Sequence, residues 1–246
     1  MTESARKHLP FSGYRVVELG TRISSGYCGR LLCDYGADVC LIETADSNEL
    51  RYCIPPRHEP GQTKSGLFGY LHAGKTNVLV DHADQDTLRG ILSDADIFVY
   101  GAPDIPHQTE RELFKLLSQS HESLIAVHLS PYGLSGPYSE LAGCELTANA
   151  LSGITQRIGA PDREPLTLPL AQAAYQAGYA AACGAACGLI ARMDSVQGQV
   201  VEVSETEAIA TVHAGYSVTR YQTAGVEEKR AGNRMALLPY PQTVLP

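Results

Sequence analysis

Several absences narrow what this chain is built to do. Basic residues are scarce: 19 Lys and Arg stand against 27 Asp and Glu, a formal net charge of -8. Nucleic-acid affinity comes mostly from Lys and Arg neutralising phosphates, so a nucleic-acid partner is not expected. The opening MTESARKHLPFSGYRVVELG has no unbroken apolar run of signal-peptide length, because Lys7, His8, Ser12 and Arg15 interrupt it. A cytoplasmic setting is therefore the expectation. None of the seven cysteines (Cys28, Cys33, Cys40, Cys53, Cys144, Cys183, Cys187) belongs to a C-x-x-C pair. They read as buried thiols of a reducing compartment, with neither metal site nor disulfide expected.

What is present is the pattern of an α/β protein. RVVEL (15–19), DVCLIE (38–43), NVLVD (77–81), DIFVYG (96–101) and LIAVHL (124–129) are short, near-continuous apolar runs rich in Val, Ile and Leu. Such runs mark strands buried on both faces of a parallel sheet. Between them, GYCGRLLCDYG (26–36) reads as a crossover helix stopped by Gly36. DQDTLRGILSDA (84–95) reads as another, with Leu88, Ile91 and Leu92 on one face. Residues 44–66 carry the Pro, Gly and polar content of a long irregular loop, and PYGLSGPY (131–138) is a second loop. A helix is expected across CELTANALSGITQRIG. Near the C-terminus a strand at 199–203 hands over to a helix at Ser204, with Glu207 three residues on, the spacing of a capping box.

The stretch LPLAQAAYQAGYAAACGAACG (168–188) holds no charge. Its length approaches that of a membrane span. Alanine and glycine are too weakly apolar for that role, and Gln172 and Gln176 would sit in lipid. Small residues at Ala177, Ala181, Gly184 and Gly188 instead suit close helix packing. A buried packing helix is expected, and no membrane partner.

VVELGTRISSGYCGRLLCDYGADVCLIE (16–43) resembles the opening of the family III CoA-transferases, the CaiB/BaiF group, whose usual form is GPYCGxLLADLGADVIKVE after a strand and short loop. The resemblance continues in order through LHAGKTNVLVD, DADIFVYG, LSPYGLSGPY, ALSGITQRIGAPDREP, GLIARMDSVQGQVVEVSETEA and AGNRMALLPY. It implies a Rossmann-like large domain that binds CoA or an acyl-CoA as substrate, a smaller second domain, and two interlocked chains. On that basis residues 1–225 are expected to form the large domain. Residues 226–246 would be a linker or the start of the small domain, with the chain truncated before the rest of it.

The transferases so resembled use an Asp carboxylate that attacks the acyl-CoA thioester, a step that needs an anionic oxygen nucleophile. Aligning on the 168–188 helix puts Ala174 at that position; aligning on PLA puts Gln172 there. Neither is a carboxylate. The racemase motif GHD matches GCE here, so Cys144 replaces the His and Glu145 the Asp, and a thiol is a poor substitute for imidazole. Glu145 and Cys144 are the remaining candidates for chemistry. Glu145 also reads as a hydrogen-bonded structural acid, and Asp162 as a surface loop charge.

For CoA, the resemblance implies contacts from Arg22, Ile23, Ser24 and Gly26 in the first loop, and from Leu71, Gly74 and Lys75 in the second. The family's ENFRPG falls on YGAPDI here, and the second basic residue of GKRS on Thr76, so donors and positive charge are lost and weaker binding is expected. Other readings stand beside these: Lys75 as a solvated charge, Gly26 as an opening for the helix, Arg22 as a surface ion pair.

Three functions follow. One is a silent half of a CoA-transferase, working as a homodimer or with a second transferase half. Another is an active CoA-ester isomerase, racemase or lyase using unusual residues. The third is an NAD-type domain, with Glu43 placed for a ribose hydroxyl; for this the G-x-G-x-x-G loop is missing.

Overall fold

The computed structural model describes residues 8–43, 49–52, 56–59, 62–80, 85–101, 114, 121–213, 218–227, 229, 230 and 232. Its centre is a six-stranded, wholly parallel sheet. The strands are β1 (Arg15–Gly20), β2 (Asp38–Glu43), β5 (Thr76–Leu79), β6 (Ile97–Gly101), β7 (Ile125–Ser130) and β8 (Gln199–Ser204), arranged 5-2-1-6-7-8. β6 and β7 are buried at every position, which is why their sequences show no alternation. All the strands expected from the apolar runs are present, with ends shifted by a few residues.

Helix α1 (Ile23–Asp34) crosses from β1 to β2 and stops where Gly36 takes φ 108°, a conformation that favours glycine. The described residues of the 44–66 stretch, expected to be irregular, carry regular structure. They include a 3-10 turn (Glu49–Tyr52) and an antiparallel hairpin of β3 (Pro56–Glu59) and β4 (Gln62–Ser65), leading into α2 (Gly66–Leu71). Ser65 caps α2 by accepting from the Phe68 amide at 3.1 Å. α3 (Gln85–Leu92) follows β5, with Leu92 buried beneath the sheet.

The helix expected over 144–159 is shorter. α4 (Glu145–Leu151) ends before Gly153, whose φ is 83°, and a 3-10 turn (Ile154–Arg157) follows. α5 (Gln172–Ser195) is the long uncharged helix, and α6 (Glu205–His213) springs from β8 with the Ser204 hydroxyl accepting from the Glu207 amide. A short α7 (Thr219–Ala224) closes the described part.

α5 buries Ala173, Ala174, Ala177, Gly178, Ala181, Ala185, Gly188 and Leu189 along one side. Near its start it presses on α1: a Cβ added to Gly178 would lie 2.6 Å from the Ser24 carbonyl oxygen. Farther along it lies on the sheet, where the same addition at Gly184 would meet Val201 at 2.6 Å and at Gly188 would meet Ile125 at 2.9 Å. The small residues are therefore there for contact. Its outer side is different: Tyr179, Cys183, Cys187, Ile190 and Met193 are exposed. Burial of all the cysteines is thus corrected, since Cys144, Cys183 and Cys187 are exposed while Cys28 and Cys33 are buried. An alanine-rich segment need not be buried on every side; helical periodicity puts 183 and 187 outward. No helix among the described residues is long and apolar enough to cross a membrane.

Candidate functional site

The chain runs outward from β1 in both directions: β2 and β5 lie on one side, β6, β7 and β8 on the other. Open α/β sheets bind ligands where the order reverses, outside the carboxyl ends of the strands. That point is Gly20 paired with Gly101 at the ends of β1 and β6. The amides of Thr21 and Arg22 both donate to the Gly101 carbonyl, at 3.1 and 3.2 Å. Glycine is needed on both strands, because a Cβ on Gly20 would meet the Ser25 hydroxyl at 2.6 Å and one on Gly101 would meet the Ser25 Cβ at 2.9 Å.

Of the seven residues assigned to CoA through the resemblance, Arg22, Ile23, Ser24 and Gly26 follow β1 at this edge, whereas Leu71, Gly74 and Lys75 lie beside α1 ahead of the amino end of β5, and their side chains do not all face out. Arg22 makes a bidentate pair with Glu205, Nε donating to Oε1 at 2.9 Å and Nη2 to Oε2 at 2.7 Å. Ser24 adds a hydroxyl hydrogen bond to Glu205 Oε1 at 2.6 Å. With Arg22 13% and Glu205 3% exposed, the pair is internal and not the surface pair expected of Arg22. It ties the first loop to the start of α6.

Lys75 also departs from expectation. Its ammonium donates to Glu18 Oε2 at 2.6 Å, to the Gly26 carbonyl at 2.8 Å and to His72 Nδ1 at 3.2 Å, and its side chain is fully buried. It is neither a solvated charge nor turned toward a phosphate; it joins the second loop to β1 and α1. Leu71 is buried, and a Cβ on Gly26 would lie 3.3–3.4 Å from Leu71 and His72, so Gly26 is where the two loops meet. Exposed Gly74 at φ 83° and half-buried Ile23 remain at the surface. What the edge offers a ligand is mostly backbone.

Beneath it lies a charge cluster. Burial pushes the Glu18 carboxyl up to about 7, against the pull of Lys75. Burial, then the charges of Lys75 and Arg51, push His72 down to about 3. His72 is therefore neutral, and its 3.5 Å approach to Glu18 is no ion pair. With Nδ1 accepting from Lys75, the proton sits on Nε2, which is buried without a protein partner. Glu43 is held by Arg51 and by Asn77 Nδ2 at 2.9 Å. A buried carboxylate so engaged is not free for a ribose hydroxyl, which removes the sequence ground for an NAD-type site.

The second half of the site is the start of α5. Ala174 is buried and presents only a methyl group; Gln172 opens the helix. No side chain of α5's own N-cap satisfies its first amides. Glu145 of α4 does so instead: Oε1 accepts from the Ala173 amide at 2.8 Å and from Asn149 Nδ2 at 2.8 Å, and Oε2 from the Ala174 amide at 3.3 Å. A carboxylate at a helix N-terminus is stabilised by the aligned peptide dipoles as well as by the hydrogen bonds. Glu145 is thus placed as a structural acid. Cys144, exposed beside it, is lowered from the usual thiol range by the Thr147 amide. Asp162 is an exposed turn residue.

Between α5 and α1 lies a cavity of about 380 Å³ lined by Tyr27, Gln172, Tyr175, Gln176 and Tyr179. Sequence reading missed it, along with Glu205, Glu18 and His72. The spacing 172, 175, 176, 179 was the available signal, and the acid in the apolar run RVVEL was another. Of the family's ENFRPG counterpart, residues 102–105 lie outside the described residues, as does most of AGNRMALLPY. Among the described residues no cluster could hold a metal ion.

A six-stranded parallel sheet whose order reverses at β1/β6, with helices packed on it, defines an open α/β fold. The model of CoA-transferase family III matches residues 11–243, and the chain belongs to that family. It is 25% identical to succinate–glutarate CoA-transferase of Agrobacterium fabrum over 95% of this chain and 60% of that protein. It is 30% identical to succinyl-CoA:(R)-benzylsuccinate CoA-transferase subunit BbsE of Thauera aromatica over 83% of this chain and 51% of that one. A crystal structure of a CaiB/BaiF family protein from Brucella suis superposes with a TM-score of 0.84 at 25% identity, covering 92% of this chain and 60% of that one. The chain thus spans about half to three fifths of the length of these relatives.

Proposed function

We propose that this chain binds a CoA thioester at the β1/β6 edge and acts as a silent half of a CoA-transferase, the carboxylate nucleophile coming from a second transferase half. Acyl-CoA:carboxylate CoA transfer is the chemistry carried over from the relatives. In it a carboxylate oxygen attacks the thioester carbonyl, CoA leaves as a thiolate, and the resulting acyl anhydride is opened in turn. The observation that carries the reading is the start of α5. Where the family resemblance calls for an Asp, the helix carries Ala174 or Gln172, neither a carboxylate, and the nearby carboxylate of Glu145 is committed to two amides and a carboxamide. Hydrogen bonds to a carboxylate stabilise its charge and blunt its attack. The name of the Thauera relative, a subunit, supports a divided enzyme.

The test is incubation of the purified chain with succinyl-CoA, followed by intact mass measurement and thioester-exchange assay. The proposal expects saturable CoA-ester binding with no acyl adduct and no exchange. An adduct or turnover by the chain alone would sink it.

One observation favours a second reading, an active CoA-ester enzyme. The Cys144 thiol is exposed, close to Glu145, and shifted toward the thiolate. It predicts an acyl mass gain that disappears in Cys144→Ala.

A further inference from the structure

The cavity between α1 and α5 has a composition that states a preference. Gln172, Tyr175, Gln176 and Tyr179 follow one another at the spacing of a single helix face, and Tyr27 of α1 closes the other side. The Tyr27 and Tyr175 rings meet edge to face, centroids 4.9 Å apart at 89°. Three rings and two carboxamides line the space, and none of the five carries a charge. Its size of about 380 Å³ lies in the range of roughly 300–1,000 Å³ found for small-molecule sites.

Burial and their neighbours, Tyr70 among them, hold the phenols of Tyr27 and Tyr175 above the usual range. They remain neutral hydrogen-bond donors. With no cation in the lining, a ligand's affinity there comes from its ring or chain and not from a carboxylate. Aromatic faces and edges do match another ring, and pairs at these separations gain beyond simple burial. The pocket also reaches Gln172, the first residue of α5 and one of the two positions on which the family's Asp falls.

Resting on the CoA-thioester reading, we propose that Tyr27, Tyr175, Tyr179, Gln172 and Gln176 form an aryl subsite, which selects CoA thioesters whose acyl group ends in an aromatic ring. The ring lies among the three tyrosines, the carboxamides meet ring hydroxyls where present, and the thioester carbonyl faces the α5 start.

The experiment compares 3-phenylpropanoyl-CoA, hexanoyl-CoA and CoA by calorimetric titration of the full chain. In parallel, free 3-phenylpropanoate and hexanoate are followed by saturation-transfer NMR. The aryl ligand of each pair should bind about tenfold more tightly than the alkyl one, as expected of two or three ring pairs. Tyr179→Leu should cut that preference to about twofold while leaving CoA affinity alone, and Tyr179→Phe should keep it. Tyr179 is 57% exposed, so its replacement leaves the core intact. If no CoA compound binds but phenylpropanoate does, with the Tyr179 dependence, the CoA reading fails and the subsite stands. Equal binding of aryl and alkyl ligands, or a preference indifferent to Tyr179→Leu, overturns the subsite.

Discussion

Two polar clusters stand on different parts of the fold, and they are built on opposite principles. Around β1, charge is matched to charge: Glu18 with Lys75, Arg22 with Glu205, both inside the protein. At the start of α5 one carboxylate, Glu145, faces only amides. The first arrangement holds two loops and a helix in place through ions that are expensive to separate. The second satisfies a helix end with a group that a neutral acceptor could replace. The difference teaches where this chain is committed: the loops and helix around β1 are specified by matched ions, and the start of α5 only by the need for hydrogen-bond acceptors.

Removing Lys75 should separate the clusters most sharply. Lys75→Met leaves Glu18 buried without its cation, and urea unfolding should show a loss of about 3–5 kcal/mol. Adding Glu18→Gln to that variant should recover part of it, since no unpaired charge remains. If Lys75→Met is silent, the pair does not organise the edge.

Glu145→Ala should cost less, about 1–3 kcal/mol, by leaving the Ala173 and Ala174 amides and the Asn149 carboxamide without their acceptor. Glu145→Gln retains an oxygen and should cost under about 1 kcal/mol by the same measurement. A large loss in Glu145→Gln would show that the charge itself matters there, and the contrast with β1 would collapse.

The smallest effect is a matter of pH. Glu18 is raised in the fold, so between roughly its unfolded value and 7 the folded state holds the extra proton and stability falls as pH rises. His72 is lowered, so between about 3 and its unfolded value the unfolded state holds the extra proton and stability falls as pH drops. The two trends oppose each other near pH 5–6. His72→Asn removes the second. Its thermal midpoint should gain on going from pH 7 to pH 5 relative to the parent protein, by the equivalent of about 1–2 kcal/mol. Parallel curves for the two proteins would place the titrating groups elsewhere.

The strands were legible because parallel strands buried on both faces must be continuously apolar. DVCLIE matches β2 residue for residue. The β3–β4 hairpin was not, since PRHE and QTKS show no alternation of apolar and polar residues. The loops that hold Arg22, Ser24 and Lys75 were readable; the direction of their side chains was not. Lys75 reaches a carboxylate 57 residues away and Arg22 one 183 residues away, and nothing local encodes such pairings. Outward placement of Cys183 and Cys187 was available from helical period, but the surrounding alanines pointed toward burial.

The approach of Gly178 to the Ser24 carbonyl fixes α5 against the first loop by main chain alone. The helix keeps its station whatever stands in its opening turn. Exchanging Ala174 for an acid would therefore set a carboxylate on a frame already in position, a direct probe of the proposed silent half.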